Sequence, residues 1–488
     1  MLKILPGSDG AALDRLHMEK EGISPLEFME RVAQQVVDWF MRSAYSKEER
    51  IAVCCGAGNN GGDGFAIARL LHQKGYRVAV IPCFSPGTRL SADAEANFRA
   101  LPVQIPQWSW DSISPDSSQV WIDAFLGVGW KGPLREEAKQ IIGKINACAG
   151  IKIAIDLPSG LPTDTSITEN SVKAEVTLTF GFPKRSLLFP EHAQFTGELV
   201  LLDIGIDEAT LDAFASTTYY LQAKDILAHH RIFDRFSHKR NRGKVLLLAG
   251  SKGKVGAAIL SSKSALRTGS GLVTCCLPEE ERWAIQAAVP EVMCTFGEDQ
   301  PWSTYDAIGL GPGMQVERCK LLEQVFSSFS KPLVLDADAL TYLALHKELW
   351  ALIPKGSILT PHLGEFERLF GPCDSHAERM AKASTFCQNY GVNLLIKGAH
   401  SLCCFADGRQ VFNSSGSKYM ATAGCGDVLT GMLTSYLGQG YTPEDALLCG
   451  VFHHGWAGEL AGENYLRGLM AHDLIESIPE TYRRIGLK

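Results

Sequence analysis

From residue 50 to residue 156, short apolar runs alternate with helix-patterned stretches: strands at 50–55 (RIAVCC), 76–83, 119–124 and 151–156, helices at 64–74, 91–101 and 134–148. That rhythm constrains the fold more than any single residue, because parallel strands need long crossovers and βαβ units are built right-handed. It predicts an α/β domain around a parallel sheet, completed by strand-like runs at 174–180 and 198–203. Ahead of it, Ser24-Pro25-Leu26-Glu27 combines an N-cap, a proline at the first helical position and a glutamate placed to close a capping box, so a helix should run to about Ser43. A second alternating pattern starts at 245–249 (VLLLA), after a connection of roughly thirty residues. The chain's 488 residues exceed what one core supports. Two domains are expected, 1–215 and 225–488.

Composition narrows the partners. A net charge of −7 supplies no broad positive field for a phosphodiester backbone, so nucleic acid is not expected. The basic stretch His238-Lys239-Arg240-Asn241-Arg242-Gly243-Lys244 reads as a solvated face between the halves. Fourteen cysteines are diluted in a long chain, three pairs are immediate neighbours inside apolar runs, and no CxxC occurs. Such thiols behave as small buried hydrophobes, and a reducing, cytoplasmic setting is the expectation. No run approaches the ~18 apolar residues of a membrane span. Acids at Asp9 and Asp14 interrupt any signal-like core at the N-terminus, so no membrane partner is expected either.

In a parallel sheet all strand carboxyl ends lie on one edge, where ligands bind. Three polar segments start at such ends: Gly56–Gly64 (GAGNNGGDG), Asp123–Pro133 and Asp156–Gly160. The first six residues of GAGNNGGDG fit GxGxxG, whose glycines permit positive φ and close backbone approach while the next helix offers unpaired N–H groups to an anion. A plain tight turn is the alternative. A dinucleotide dehydrogenase would also carry an acid at the end of the second strand, and Ile81-Pro82-Cys83-Phe84-Ser85 has none. Instead Asn60, Asp63, Asp123, Asp156 and Ser159 share one predicted edge, a hard-oxygen set suited to an alkali or alkaline-earth cation. Each acid alone would be more at home as an N-cap or loop residue.

NNGGDG at 59–64, IDAFLGVGWKGP at 122–133 and IDLPSGLPTDT at 155–165 resemble the NAD(P)H-hydrate epimerase domain, over roughly residues 10–212. The resemblance implies a potassium ion held by Asn60, Asp123 and Ser159. It also implies a site for the hydrated nicotinamide nucleotide lined by Asn59, Asn60, Gly61, Gly62, Asp63, Gly127, Val128, Gly129, Trp130, Lys131, Gly132, Pro133 and Asp156. Inverting a ring carbon that bears a hydroxyl needs departure of that hydroxyl and return of water on the opposite face. Asp156 is the expected acid/base group.

In the second half, AGCGDVLTG at 423–431 sets glycines ahead of an apolar-periodic helix, a concave arrangement of N–H groups suited to phosphate. Asp427 there either caps the helix or takes a proton from a hydroxyl. GLGPG at 309–313, DADAL at 336–340, TPHLGEF at 360–366 and KGAHS at 397–401 each follow a strand-like run. His362 and Glu365 fall on the same edge. This set resembles the ribokinase-like fold and, within it, the NAD(P)H-hydrate dehydratase, over roughly 225–485. The resemblance implies nucleotide contacts from Lys397, Gly398, Ala399, His400, Ser401 and Gly426, and substrate contacts from Ala257, Gly313, His362 and Asp427. Cys425 stands where relatives commonly carry serine or threonine.

The joint expectation is a Rossmann-like epimerase domain followed by a ribokinase-like dehydratase domain, repairing hydrated NADH and NADPH. Asp427 would be the base, with magnesium accompanying ADP or ATP. The bacterial-type fusion points to ADP, while the residues leave ADP and ATP open. A homo-oligomer is expected. Two competing readings are a ribokinase-like small-molecule kinase with an N-terminal dinucleotide-binding module, and a non-catalytic N-terminal half. Trp108 and Trp110 are assigned no role, with packing or surface contact as the default for both.

Overall fold

A computed structural model describes residues 1–130, 133–167 and 169–487. The chain separates into two compact units, Leu2–Ser216 and Thr217–Lys488.

In the first unit the strands run Arg77–Pro82, Arg50–Cys55, Val120–Ala124, Ile151–Ile155, Val176–Phe180, Glu198–Leu202 across a wholly parallel sheet. Chain order reverses between Arg50–Cys55 and Val120–Ala124. A crevice forms at the carboxyl ends of strands where such a reversal occurs. Helix Pro25–Arg42 starts with the predicted capping box: the Ser24 hydroxyl accepts the Glu27 N–H and the Glu27 carboxylate accepts the Ser24 N–H. Its buried Phe28, Val32, Val36 and Phe40 fall at i, i+4 spacing and pack with Val53 and Phe65 over one face of the sheet. Trp110 stacks on buried Trp121 with ring centroids 6.4 Å apart, and Trp108 joins the same apolar cluster, so both serve packing. A further helix, Gly10–Glu21, was not foreseen in the sequence.

The glycine-rich segment departs from expectation. Helix Asn59–Gln73 begins five residues earlier than predicted and absorbs NNGGDG into its first turns. None of Gly56, Gly58, Gly61, Gly62 or Gly64 has positive φ. These glycines serve close approach: a Cβ on Gly61 would sit 1.8 Å from the Gly56 carbonyl oxygen, and one on Gly64 would sit 2.7 Å from the Ala124 Cβ. The helix therefore presses its first turns onto the sheet edge.

In the second unit, Met293–Thr295, Leu272–Cys276, Lys244–Leu248, Ala307–Leu310, Leu333–Leu335, Ile358–Leu359 and Asn393–Ile396 form a parallel sheet in that spatial order. Leu402–Cys404 adds antiparallel, then Gln410–Asn413. Thr218–Leu221, inside the stretch read as a connection, pairs parallel with Gln410–Asn413. The reversal lies between Lys244–Leu248 and Ala307–Leu310. All fourteen cysteines are free, and twelve are buried. Among the described residues no helix is long and apolar enough to cross a membrane.

Candidate active sites

The three expected polar segments of the first unit meet at the reversal. The Gly56 N–H donates to the Ala124 carbonyl, tying the strand end before NNGGDG to the strand end after Asp123. Gly127 lies against Asn60 so closely that a Cβ there would stand 2.9 Å from the Asn60 Cβ. Asp123 is 1% exposed, and both its oxygens are engaged by the loop after Ile151–Ile155. Oδ1 accepts the Ser159 hydroxyl at 2.6 Å and the Phe125 N–H at 3.2 Å; Oδ2 accepts the Ser159 N–H at 2.7 Å. The Ser159 hydroxyl in turn accepts the Leu126 N–H at 2.7 Å. Burial pushes the Asp123 carboxyl up to about 6, against the pull of these hydrogen bonds.

Asn60, Asp123 and Ser159 are hard-oxygen donors of the kind an alkali cation takes. Among the described residues Asn60 Nδ2 is buried without a hydrogen-bond partner. An amide's N and O exchange places by a simple flip, so that buried position is equally suited to present the Asn60 oxygen to a cation. The donor chemistry fits potassium.

At the start of Asn59–Gln73, Gly58 caps by backbone alone, and the first N–H to find an intrahelical partner is that of Gly62. The N–H groups of Asn59, Asn60 and Gly61 thus face outward at the positive end of the helix. A cavity of about 560 Å³ lies between the loops that follow Val120–Ala124 and Ile151–Ile155, lined by Val128, Trp130 and Pro133 and by Leu157, Leu161 and Pro162; Asn59, Asn60, Asp63, Asp123, Asp156 and Ser159 do not line it. Of the expected substrate set, Lys131 and Gly132 lie outside the described residues.

Asp156 has φ +66°, a left-handed conformation that non-glycine residues seldom adopt, and its N–H donates to the Leu178 carbonyl at 2.7 Å. Two carboxyls share its surroundings. Asp63, on Asn59–Gln73, is pushed well above the usual range by burial and then by the charges of Asp156 and Asp14. Asp14, on Gly10–Glu21, is pushed up to about 6 by burial, with Lys184 opposing. The Lys184 ammonium is ion-paired to Asp156. Sequence reasoning missed Lys184 and gave Asp14 no role at this site. The signal for Lys184 was available: it follows the strand Val176–Phe180 by four residues, on the same sheet edge.

In the second unit, helix Cys425–Gly438 starts from Gly424 in the left-handed conformation (φ +93°), with no side-chain cap. Capping, one of the two roles considered for Asp427, is therefore not realised. Its carboxylate accepts no hydrogen bond from the described residues, and burial, followed by the charge of Asp336, pushes it up to about 7 against the pull of Lys397. A Cβ on Gly426 would lie 3.5 Å from Lys397 Nζ and 3.7 Å from Asp336 Oδ2. The Lys397 ammonium donates to Asp336 Oδ1 at 2.7 Å, and Asp336 Oδ2 accepts the Thr430 hydroxyl from the same helix at 2.8 Å. Asp336 thus braces Lys397 against the turn that opens Cys425–Gly438.

His362 caps helix Leu363–Phe370: Nδ1 accepts the N–H groups of Gly364 and Glu365, while Glu365 returns a bond to the His362 N–H. With Nδ1 accepting, the proton sits on Nε2, on a ring whose side chain is 53% exposed. Lys397 pairs with His362 through a backbone bridge. Ala257 and Gly313 also meet, since a Cβ on Gly313 (φ +61°) would stand 3.1 Å from that of Ala257. Ser401 closes its own loop, its hydroxyl donating to the Gly398 carbonyl at 3.0 Å; Gly398 and Ala399 are exposed, and His400 Nδ1 is buried without a partner. The Cys425 side chain packs among Val428, Met432 and Leu474, and burial pushes its thiol up to about 11. It is part of the apolar support beneath the turn.

Residues 245–480 match the family described as NAD(P)H-hydrate dehydratase, and residues 25–186 match the YjeF-related protein N-terminus. The chain is similar along its length to the bifunctional NAD(P)H-hydrate repair enzyme Nnr of Moorella thermoacetica, 30% identical over 99% of this chain and 97% of that one. The corresponding enzyme of Pyrobaculum aerophilum is 32% identical over 96% of each chain. Among solved structures, an ADP/ATP-dependent NAD(P)H-hydrate dehydratase from Bacillus subtilis, co-crystallized with ATP and Mg2+, is 29% identical with a TM-score of 0.50; the match covers 56% of this chain and all of that one.

Proposed function

The chain belongs to the bifunctional NAD(P)H-hydrate repair enzymes, and from that premise we propose that its first unit interconverts the two epimers of hydrated NADH and NADPH while its second dehydrates one of them at the expense of ADP or ATP. The observation that carries this reading is Asp427: a half-buried carboxylate with no hydrogen bond from the described residues, beside a turn of free N–H groups and a braced lysine. A purely structural aspartate at this third helical position would accept a backbone N–H of the helix start.

In the second unit the free N–H groups before Val428 and the Lys397 ammonium are arranged for phosphate charge. Asp427 takes the proton of the substrate hydroxyl, whose oxygen attacks the terminal phosphorus as the bond to the nucleotide breaks. The new phosphate ester is a good leaving group; its departure, with loss of a proton from the adjacent carbon, restores the dihydropyridine ring. The helix N-terminus stabilises charge developing on the transferred group. Magnesium bound with the nucleotide would neutralise phosphate charge.

In the first unit the hydroxyl leaves as water as the ring nitrogen's electron pair moves toward the carbon, and water returns to the opposite face. Asp156 mediates the proton movements. Asn60, Asp123 and Ser159 would hold potassium, which would supply a fixed positive charge to the site. The cavity bounded by Val128 and Trp130 suits the remainder of the nucleotide. Asp427→Asn should abolish nucleotide-dependent recovery of the reduced ring and leave epimer exchange intact. Recovery at the wild-type rate would end the proposal, and a stable phosphorylated product would favour a small-molecule kinase.

A further inference from the structure

The surroundings of Asp156 treat its two oxygens differently. Oδ1 accepts three donors: the Lys184 ammonium, the Thr179 hydroxyl at 3.2 Å and the Phe180 N–H at 3.3 Å. Oδ2 accepts none from the described residues. Lys184 is equally committed. Its ammonium has three protons, and besides Asp156 it meets the Thr179 hydroxyl oxygen at 3.2 Å and the Phe180 carbonyl at 3.3 Å. With its side chain only 9% exposed, it has no proton left for a substrate. The Thr179 hydroxyl donates a hydrogen bond to Asp156 while accepting one from Lys184. Thr179, Phe180 and Lys184 therefore close around a single oxygen.

We propose that Lys184 is a positioning residue of the epimerase: with Thr179 and the backbone of Phe180 it anchors one oxygen of Asp156 and leaves the other as the single oxygen presented to the substrate. This rests on Asp156 being the acid/base group. A carboxylate at φ +66° with no anchor could turn and offer either oxygen at varying depth, and misplacement by about 1 Å costs up to roughly a hundredfold in rate. Lys184 also supplies positive charge where Asp14, from Gly10–Glu21, and Asp63, from Asn59–Gln73, bring further carboxyls toward Asp156.

The test is epimer exchange of hydrated NADH by the full chain, with the melting temperature of each variant measured alongside. Lys184→Met should lower kcat by about 10- to 100-fold while KM stays within about twofold. Lys184→Arg, which keeps the charge, should regain part of the loss. A Lys184→Met protein that exchanges epimers at the wild-type kcat, or loses only affinity, overturns the proposal. Should that variant not fold, Thr179→Val decides: a severalfold drop in kcat supports the anchor, and an unchanged kcat refutes it. Asp156→Asn separates the two layers, because an inactive Asp156→Asn beside a fully active Lys184→Met removes only the role of Lys184, whereas an active Asp156→Asn removes both.

Discussion

The dehydration rate should follow the ionisation of Asp427. Burial, joined by the charge of Asp336, pushes that carboxyl up to about 7, and Lys397 pulls the other way. A general base works only when ionised. With free enzyme and substrate well below KM, kcat/KM should therefore fall to roughly a tenth of its plateau near pH 6 and roughly a hundredth near pH 5. Because nucleotide phosphates titrate in the same region, a second perturbation is needed to assign the limb. Lys397→Met removes a nearby cation and should shift it upward by about one pH unit, an effect phosphate titration would not copy. The assay is the initial rate of reduced-ring recovery from hydrated NADH. A flat profile between about pH 5.5 and 8, or a limb that ignores Lys397→Met, would refute the assignment of Asp427 as the base.

Gly61→Ala should cost about 1–3 kcal/mol or more and cripple epimer exchange, since the new methyl would meet the Gly56 carbonyl oxygen; a fully active, stable variant would contradict the close approach. Acid should weaken the second unit. His230 meets His453, which bonds Thr481, and His454 bonds the Cys425 carbonyl; burial pulls His230 and His454 down to about 4 and His453 well down. An unfolded histidine takes up a proton near pH 6.5 that these refuse, so their contribution is full above about 6.5 and is lost as pH falls toward 4. Asp427, whose raised carboxyl works in the opposite sense, offsets one of the three. The protein should therefore melt several degrees lower at pH 5 than at pH 7. An unchanged melting temperature would mean that these histidines are solvated.

The parallel framework was legible because strand and helix periods differ and each strand is bounded by polar residues. Pro25–Arg42 even carried its own start signal. The glycine-rich segment misled because GAGNNGGDG reads equally as a loop of positive-φ glycines or as a helix start whose glycines remove side chains at a close contact. Only the packing of Gly61 on Gly56 and Gly64 on Ala124 distinguishes them. Thr218–Leu221 was hidden because a strand of four residues is too short to show an apolar period of its own and is defined by its pairing with Gln410–Asn413. Asp123, Ser159, Asp156 and Asp427 lay in recognisable strings. Lys184 and Asp14 did not, and their position depends on which strand and which helix fold back toward Asp156.

The most direct measurement follows recovery of reduced-ring absorbance, to completion, from an equilibrated mixture of both hydrated NADH epimers with magnesium and either ADP or ATP. Wild-type protein should restore the whole mixture, Asp156→Asn only the fraction its partner unit accepts, with a slow remainder, and Asp427→Asn none. Complete and equally rapid recovery by Asp156→Asn, or any nucleotide-driven recovery by Asp427→Asn at the wild-type rate, would contradict a division of labour between two sites.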